Sequence, residues 1–192
     1  FLLEELWTLC GRRMADEVEL RPLDPFYRIR FDDGSWFDYS GDAAQMRAEV
    51  ARFSPDDLPG YERFIEEAAL CYRLGFEELG DKAFDSLGDL FAAAPSLLRM
   101  RGWRSLHAMV CSHLRNEKLR VVMSFHPLLI GGNPFSVTCI YSLINILERR
   151  YGVHWAMGGT GQLIAGIAGL LRSLGGTLRL NAYHDSGSIV IE

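Results

Sequence analysis

The clearest local signal for the fold is the stretch Phe26-Tyr-Arg-Ile-Arg-Phe31, followed by Asp33-Gly34 and Trp36-Phe-Asp-Tyr39. Apolar and basic side chains alternate in its first part, which is the two-residue period of a strand with one buried face. Asp-Gly between alternating segments is a strong short-range signal for a tight turn. We therefore predict an antiparallel β-hairpin here, and the period of the sequence changes directly after it.

Beyond Ser40 the apolar residues follow the period of a helix. Asp42 is predicted to cap a helix through Phe53, and Ser54-Pro55 begins a second helix that continues to about Leu79. Further helices are predicted at four places: from the capping-box pattern Ser86-Leu-Gly-Asp89, broken or restarted at Pro95; over residues 103–114; over residues 116–130; and from Asn133-Pro134 to about Tyr151.

The two ends add further elements. A short helix over about residues 1–14 and a strand at residues 18–22 precede the hairpin. Gly158-Gly-Thr-Gly161 leads a glycine-rich helix to Leu174, followed by a strand over residues 177–181 and a short last strand. The predicted fold class is α+β, a predominantly helical domain with a small antiparallel β-sheet. Because Phe1-Leu-Leu begins within a helical pattern and without an initiator Met, we expect an excised fragment.

The composition is that of an ordinary globular chain with an uneven charge distribution. The 192 residues are 48% hydrophobic and carry a net charge of −5, yet residues 99–120 contain six Lys or Arg against one acid. No apolar run reaches the roughly 18 residues that a spanning helix needs. The four cysteines and five histidines show no metal-ligand spacing, so we expect reduced thiols, no metal site and a cytoplasmic protein.

The basic segment mixes cations with large apolar side chains, namely Arg99, Arg101, Trp103 and Arg104 among Leu and Met. This mixture suits an anionic membrane surface, where aromatic rings lie at the headgroups and cations meet lipid phosphates. A solvated helix face over core residues explains it equally well. Nucleic-acid binding is not expected, because the rest of the chain is acidic.

Two further features each allow two interpretations. Gly158-Gly-Thr-Gly161 at a loop-to-helix junction suits a phosphate, but a tight turn with close helix packing is the simpler reading. Asp89 is a first-turn carboxylate that caps its helix, or a functional acid.

Three stretches, taken in order, resemble the bacterial-type phytoene desaturases, and the likeness extends to about Ala182. They are Pro25-Phe-Tyr-Arg-Ile, then Ala94-Pro95 with Trp103-Arg-Ser105, and then Ser124-Phe-His through Gly131-Gly-Asn-Pro-Phe135, which continues into Ile140-Tyr, Leu147-Glu148, Gly152-Val and Gly158-Gly-Thr-Gly161.

The resemblance implies a flavoprotein of the amine-oxidase-like superfamily, in which FAD is bound through an N-terminal Rossmann unit. This chain lacks that fingerprint, so residues 1–182 are expected to be a substrate- and membrane-binding domain, and residues 183–192 a terminal strand or junction unlike the family. FAD is expected in the full-length parent, whose flavin domain would be a partner of this chain. We expect no cofactor in the fragment, and no activity from it alone.

The resemblance also implies roles for individual residues. Asp89 matches an acid proposed in family mechanisms, and Gly158 and Gly159 would lie beside the cofactor. Four residues are expected along a tunnel for a long apolar polyene such as phytoene, namely Phe125, Leu129, Phe135 and Tyr141. Core packing explains each of them equally well.

The sequence departs from the family pattern at two positions, where Gly88 replaces a basic neighbour and Ala156 replaces a proline. A related carotenoid oxygenase or isomerase is therefore an alternative to the desaturase. A non-catalytic lipid- or membrane-binding module is another. In each case we expect a peripheral membrane protein on the cytoplasmic side.

Overall fold

The computed structural model describes residues 2–82, 85–179, 182–185 and 188–191, and the chain divides into two compact units. The central unit comprises residues 23–153, and the split unit combines residues 1–22 with residues 154–192. Helices dominate the described residues, and the strands there form three two-stranded antiparallel sheets rather than one. The predicted α+β class is confirmed, while the predicted domain boundary at residue 182 stays a prediction.

The regular elements among the described residues are named in chain order. The strands are β1 (Leu20–Pro22), β2 (Tyr27–Arg30), β3 (Trp36–Tyr39), β4 (His154–Ala156), β5 (Ala182–Asp185) and β6 (Ser188–Ile191). The α-helices are α1 (Leu2–Leu9), α2 (Ala43–Phe53), α3 (Leu58–Tyr72), α4 (Leu87–Arg99), α5 (Leu106–His113), α6 (Glu117–Ser124), α7 (Leu143–Tyr151) and α8 (Thr160–Ser173). A π-helical turn (Arg73–Glu78) extends α3, and short 3₁₀ helices occur at Met14–Asp16, Pro55–Asp57, His126–Ile130 and Cys139–Ser142.

The predicted hairpin is confirmed as β2 and β3, with Ile29 opposite Phe37 and Arg28 opposite Asp38. Gly34 has φ +82°, which glycine adopts without strain, and the Phe31 amide donates to the Ser35 carbonyl at 2.9 Å to close the turn. Phe37 is fully buried, so the alternating pattern directs one face of the hairpin into the core.

Two predicted helix starts are also confirmed. The Asp42 carboxylate accepts the Gln45 amide at 2.7 Å at the start of α2. Ser86 and Asp89 form a capping box at the start of α4, in which each side chain accepts the other residue's amide.

Two helix boundaries were predicted wrongly around prolines. α4 continues through Pro95. The proline lacks the amide that would have bonded the carbonyl of Phe91, so the helix loses this hydrogen bond without ending, at a residue that is itself exposed. The helix predicted over residues 116–130 instead ends at Ser124, since Pro127 cannot donate the next helical bond, and the chain tightens into the 3₁₀ helix that follows.

The helix start predicted at Asn133-Pro134 was wrong as well. The carbonyls of Pro134 and Val137 accept the amides of His107 and Leu106 at 3.1 and 2.9 Å. These bonds align the segment with the chain before α5 and remove acceptors that a helix would use. The helical path starts only after Thr138, whose hydroxyl oxygen accepts the Ile140 amide.

The main core of the central unit lies between the hairpin and helices α2, α3, α5 and α6. Its fully buried large side chains include Phe37, Tyr39, Met46, Phe64, Leu106, Met109, Leu114, Leu119 and Met123. Burial of this apolar area is the main stabilising term and positions the remaining elements.

The split unit has its own small core, in which Trp7, Val18 and Leu170 are buried. β1 pairs with β4, a strand that was not predicted, and the predicted helix over residues 1–14 ends at Leu9 because Gly11 adopts φ +70°. Residues 177–179 do not form the predicted strand, and residues 180–181 lie outside the described residues.

Candidate functional site

The central unit carries an apolar groove of about 430 Å³ beside α4. Clefts of this size that are lined mainly by apolar side chains are the usual form of small-molecule sites. Its lining residues are Phe91, Ala94, Leu97, Leu98, Gly102, Trp103, Thr138 and Ile140.

One face of α4 forms a wall of this groove. Phe91, Ala94 and Leu98 are spaced three and four residues apart, so they share that face. At Gly102 an added Cβ would lie 3.2 Å from Ile140 Cδ1, so a larger residue would crowd the opposite wall.

Hydrogen bonds hold the turn between α4 and α5 against the other wall. The Thr138 hydroxyl donates to the Gly102 carbonyl at 2.6 Å, and the Cys139 amide donates to the Arg104 carbonyl at 2.8 Å. The groove is therefore bounded by two segments that are bonded to each other, and its shape does not depend on side-chain packing alone.

The rim of the groove is apolar and carries cations. Phe91, Leu98 and Trp103 are 77%, 62% and 70% exposed. Arg99 and Arg101 are exposed in the same stretch of chain, and Arg101 adopts φ +51°, an uncommon conformation outside glycine. Three large apolar side chains of the groove and two cations that are close to them in sequence are thus exposed at the surface.

Arg104 does not belong to this exposed group, contrary to the expectation for the basic segment. Its side chain is 19% exposed and forms an ion pair with Glu67, whose second oxygen lies 2.7 Å from His113 Nε2. The paired guanidinium of Arg104 therefore joins the turn before α5 to α3, and it is less exposed than Arg99 and Arg101.

Two of the four predicted tunnel residues lie at the surface outside the groove. Leu129 is exposed beside Leu128 and Ile130. Phe135 is exposed as well, with its ring centroid 4.4 Å from that of His107. Both residues lie in the chain between α6 and Thr138, and the end of this segment is hydrogen-bonded to residues 104–107. The segment is therefore held against the turn that carries Trp103.

The other two predicted tunnel residues are half-buried. Tyr141 lies in the 3₁₀ helix that follows Thr138. The Phe125 ring packs edge-on against Tyr27 at 5.2 Å between centroids and also contacts Tyr39 and His126. Among the described residues, Phe125 therefore takes part in core packing against the hairpin and does not line the groove.

A buried polar cluster, which we call the Glu148 cluster, lies under the hairpin. Glu148 accepts hydrogen bonds from the Tyr27 hydroxyl and from His126 Nε2, the latter at 3.1 Å. The Tyr39 hydroxyl donates to Asn145 Oδ1 at 2.7 Å. Burial, with the Glu148 carboxylate nearby, raises the pKa of Tyr27 and of Tyr39 well above the usual range. Both tyrosines therefore remain neutral donors.

Asp89 has a structural role in the capping box. Its Oδ2 accepts the Ser86 amide at 2.9 Å and the Ser86 hydroxyl at 2.7 Å. These bonds hold the pKa of the Asp89 carboxyl below its usual range, so it is an exposed carboxylate anion at neutral pH. It lies two residues before Phe91 on the helix that forms the groove wall.

The glycine-rich turn lies in the split unit, at the start of α8. Gly158 and Gly159 have φ +80° and +86°, which explains their identity by backbone conformation. At Gly158 an added Cβ would also lie 2.6 Å from Gln162 Cγ, whereas at Gly159 it would meet no heavy atom within 4 Å. Gly159 thus leaves its backbone open to close approach by another group.

The described part of the chain has neither a metal-binding cluster nor a membrane-spanning helix. No group of three or more His, Cys, Asp or Glu residues is arranged to hold a metal ion there. Within the same ranges, no helix has both the length and the apolar character needed to cross a membrane.

Relatives of known activity match almost all of the chain. A lycopene-forming phytoene desaturase of a Paracoccus species is 47% identical over 180 residues, which is 94% of this chain and 36% of that protein. A neurosporene-forming phytoene desaturase of Cereibacter sphaeroides is 42% identical over 183 residues, 95% of this chain and 35% of that protein. The chain belongs to the phytoene desaturase family, of whose members it matches a segment. It spans about a third of the length of these relatives.

The likeness extends to a desaturase of a different carotenoid. A 4,4'-diapophytoene desaturase of a Methylomonas species is 32% identical over 198 residues, which is 100% of this chain and 37% of that protein. No protein-family model matches the chain. The resemblance predicted from the three stretches of sequence is confirmed at the level of the phytoene desaturase family.

The groove shows what sequence reasoning missed in this desaturase segment. Trp103 is the predicted site residue that lines it, and it was expected at a membrane surface. The helical spacing of Phe91, Ala94 and Leu98 was visible in the sequence, but it equally fits a core face. The approach of Ile140 to Gly102 brings distant parts of the chain together and leaves no local signal.

Proposed function

We propose that this chain is the substrate-handling part of an FAD-dependent phytoene desaturase that dehydrogenates a long polyene. The apolar groove beside α4 carries the proposal. Support for the reaction comes from the relatives, which are phytoene desaturases. This chain matches about a third of the length of each.

The chemistry of the substrate explains why an apolar groove suits this function. A C30–C40 hydrocarbon has no polar group for a protein to recognise, so its binding energy comes from apolar area removed from water, at about 25 cal/mol per Å². The exposed ring of Phe91 and the indole of Trp103 at the mouth offer such area to an entering chain.

FAD, bound mainly by the part of the polypeptide outside this chain, would supply the hydride acceptor. Within this chain, the open backbone of Gly159 is compatible with close approach of that cofactor or of its domain. Asp89, anionic and placed at the start of the groove helix, is our candidate for receiving a proton at its carboxylate. Its capping bonds to Ser86 would fix its orientation.

Product analysis with the full-length polypeptide tests this function. Expressed in a bacterial host that accumulates phytoene, it should consume phytoene and form hydrocarbons with longer conjugated systems, detected by absorbance and mass. Oxygenated or merely isomerised products would contradict the proposal in favour of a carotenoid oxygenase or isomerase. Unchanged phytoene with normal flavin content would point to a lipid-binding module.

We propose further that the groove rim docks on an anionic membrane, from which an apolar substrate can enter. Arg99 and Arg101 beside exposed Trp103, Leu98 and Phe91 form the combination of cations and apolar rings that interfacial proteins use. This attachment would be peripheral.

The membrane proposal predicts a specific loss in Arg99→Glu. Reversing one cation at the surface should cost about 2 kcal/mol, or roughly 30-fold in affinity for vesicles of phosphatidylserine and phosphatidylcholine. The matched control is Arg63→Glu, which makes the same charge change at an exposed position of α3 outside the groove rim. Co-sedimentation that falls equally for both variants, or for neither, would reject this docking surface.

A further inference from the structure

Ile140 lies between the apolar groove beside α4 and the core of the central unit. It is half-buried and lines the groove, whereas Phe91, Leu98 and Trp103 at the mouth are mostly exposed. On its other side Ile140 packs against a core cluster that contains buried Met100. Ile140 therefore forms the floor of the groove, the side that faces the core.

Two glycines make room for the Ile140 side chain. A Cβ added at Gly75, in the π-helical turn after α3, would lie 3.2 Å from Ile140 Cγ2, and a Cβ added at Gly102 would lie 3.2 Å from Ile140 Cδ1. Both distances are shorter than the optimal separation of two carbon atoms, which is about 3.5–4.0 Å. The side chain therefore fills the space left by two residues without a Cβ, and an alanine at either position would crowd it.

Hydrogen bonds hold the backbone of Gly102 in place against this floor. The Thr138 hydroxyl donates to the Gly102 carbonyl at 2.6 Å, and the Gly102 amide donates to the Leu97 carbonyl at 3.1 Å. Because Gly102 and Ile140 both line the groove, the contact between them closes the groove at that point. Single methyl groups thus determine its depth there: Gly102→Ala adds one, and Ile140→Val removes Cδ1.

We propose that the contact between Gly102 and Ile140 limits how far a hydrocarbon enters the groove and so selects polyenes by the length of the inserted end, a role that rests on the proposed function of the groove. The reacting bond of the polyene must come to the hydride acceptor. A floor that stops the inserted end therefore limits how much of the molecule can extend beyond that bond. One methylene group more or less in an apolar pocket changes discrimination by about tenfold or more.

Competition between two polyenes in the full-length polypeptide tests this role. The substrates are phytoene and its C30 homologue, which is one isoprene unit shorter at each end, and the measured quantity is the ratio of their kcat/KM values. Gly102→Ala makes the groove shallower, so the ratio of C40 to C30 should fall by about tenfold. Ile140→Val makes it deeper, so the ratio should rise. Gly169→Ala, where an added Cβ meets no heavy atom within 4 Å, should leave the ratio unchanged.

The ratio separates selection by length from a structural defect, because a defect in packing lowers the conversion of both polyenes together. Conversion of both polyenes with ratios that do not move in opposite directions in Gly102→Ala and Ile140→Val would overturn the proposal. If Gly102→Ala does not fold, the rise in Ile140→Val still decides the question. Conversion of neither polyene by the unaltered protein would instead contradict the proposed function, and the role of this contact with it.

Discussion

Gly60→Ala is expected to prevent the central unit from folding. An added Cβ at Gly60 would lie 2.0 Å from the backbone oxygen of His113, a distance that no side-chain rotation can relieve. α3 and α5 would have to separate, which we estimate to cost about 4 kcal/mol or more, at the extreme end of single substitutions.

The helices cannot separate locally, because a buried carboxylate fixes the end of α5. Asp57, just before α3, accepts the amides of Arg115 and Asn116 at 2.9 and 2.8 Å. Moving α5 away from Gly60 would strain or break these charge-assisted bonds. The clash therefore spreads into the turn that starts α6.

Hydrogen exchange of α3 and α5 amides in the full-length protein measures the effect of Gly60→Ala, with soluble yield as a second readout. The matched control is Gly169→Ala on α8, where an added Cβ meets no heavy atom within 4 Å. That change should be neutral or stabilising by up to about 1 kcal/mol, since alanine is the better helix former. Wild-type protection in Gly60→Ala would contradict the close approach of α3 and α5.

Glu148→Leu is expected to have the second largest effect, a loss of about 3–5 kcal/mol of unfolding free energy. The Glu148 side chain is 11% exposed and accepts from both Tyr27 and fully buried His126. An apolar replacement leaves the half-buried Tyr27 hydroxyl and the buried His126 without this acceptor, and each lost partner costs about 1–3 kcal/mol. Chemical denaturation of the full-length protein, followed through the central unit, measures the loss.

A double-mutant cycle separates this cause from a packing defect. In the background of Tyr27→Phe one of the stranded donors is already absent, so Glu148→Leu should cost less there than in the wild type by about 1–2 kcal/mol. Glu148→Gln, which keeps the size and one acceptor oxygen, should be milder than Glu148→Leu. Equal costs of Glu148→Leu in both backgrounds would show that Tyr27 and Glu148 are not coupled.

Local signals in the sequence were enough to predict most of the elements. The alternation around Asp33-Gly34 identified the hairpin, and short polar side chains identified the caps at Asp42 and Ser86. Each of these signals acts within a few residues, through backbone geometry or one hydrogen bond.

The errors came where distant segments compete for the same backbone groups. Asn133-Pro134 has the composition of a helix start, but the adjacent carbonyls bond to residues 106 and 107 instead. Arg104 lies in a basic segment that suggests a surface cation, but its side chain forms an ion pair with Glu67 and is mostly buried. Which of the predicted membrane and substrate residues are exposed depends on contacts with distant residues that no local pattern reveals.

The measurement that tests the central claim most directly compares two substitutions in the full-length polypeptide. Ala94→Phe places a ring in the groove, whereas Ala92→Phe makes the same change on the same helix at an exposed position outside it. With phytoene as substrate, we expect Ala94→Phe to lower kcat/KM by about tenfold or more through loss of substrate positioning, and Ala92→Phe to stay within about twofold. Equal values for the two variants would contradict the assignment of this groove to the polyene.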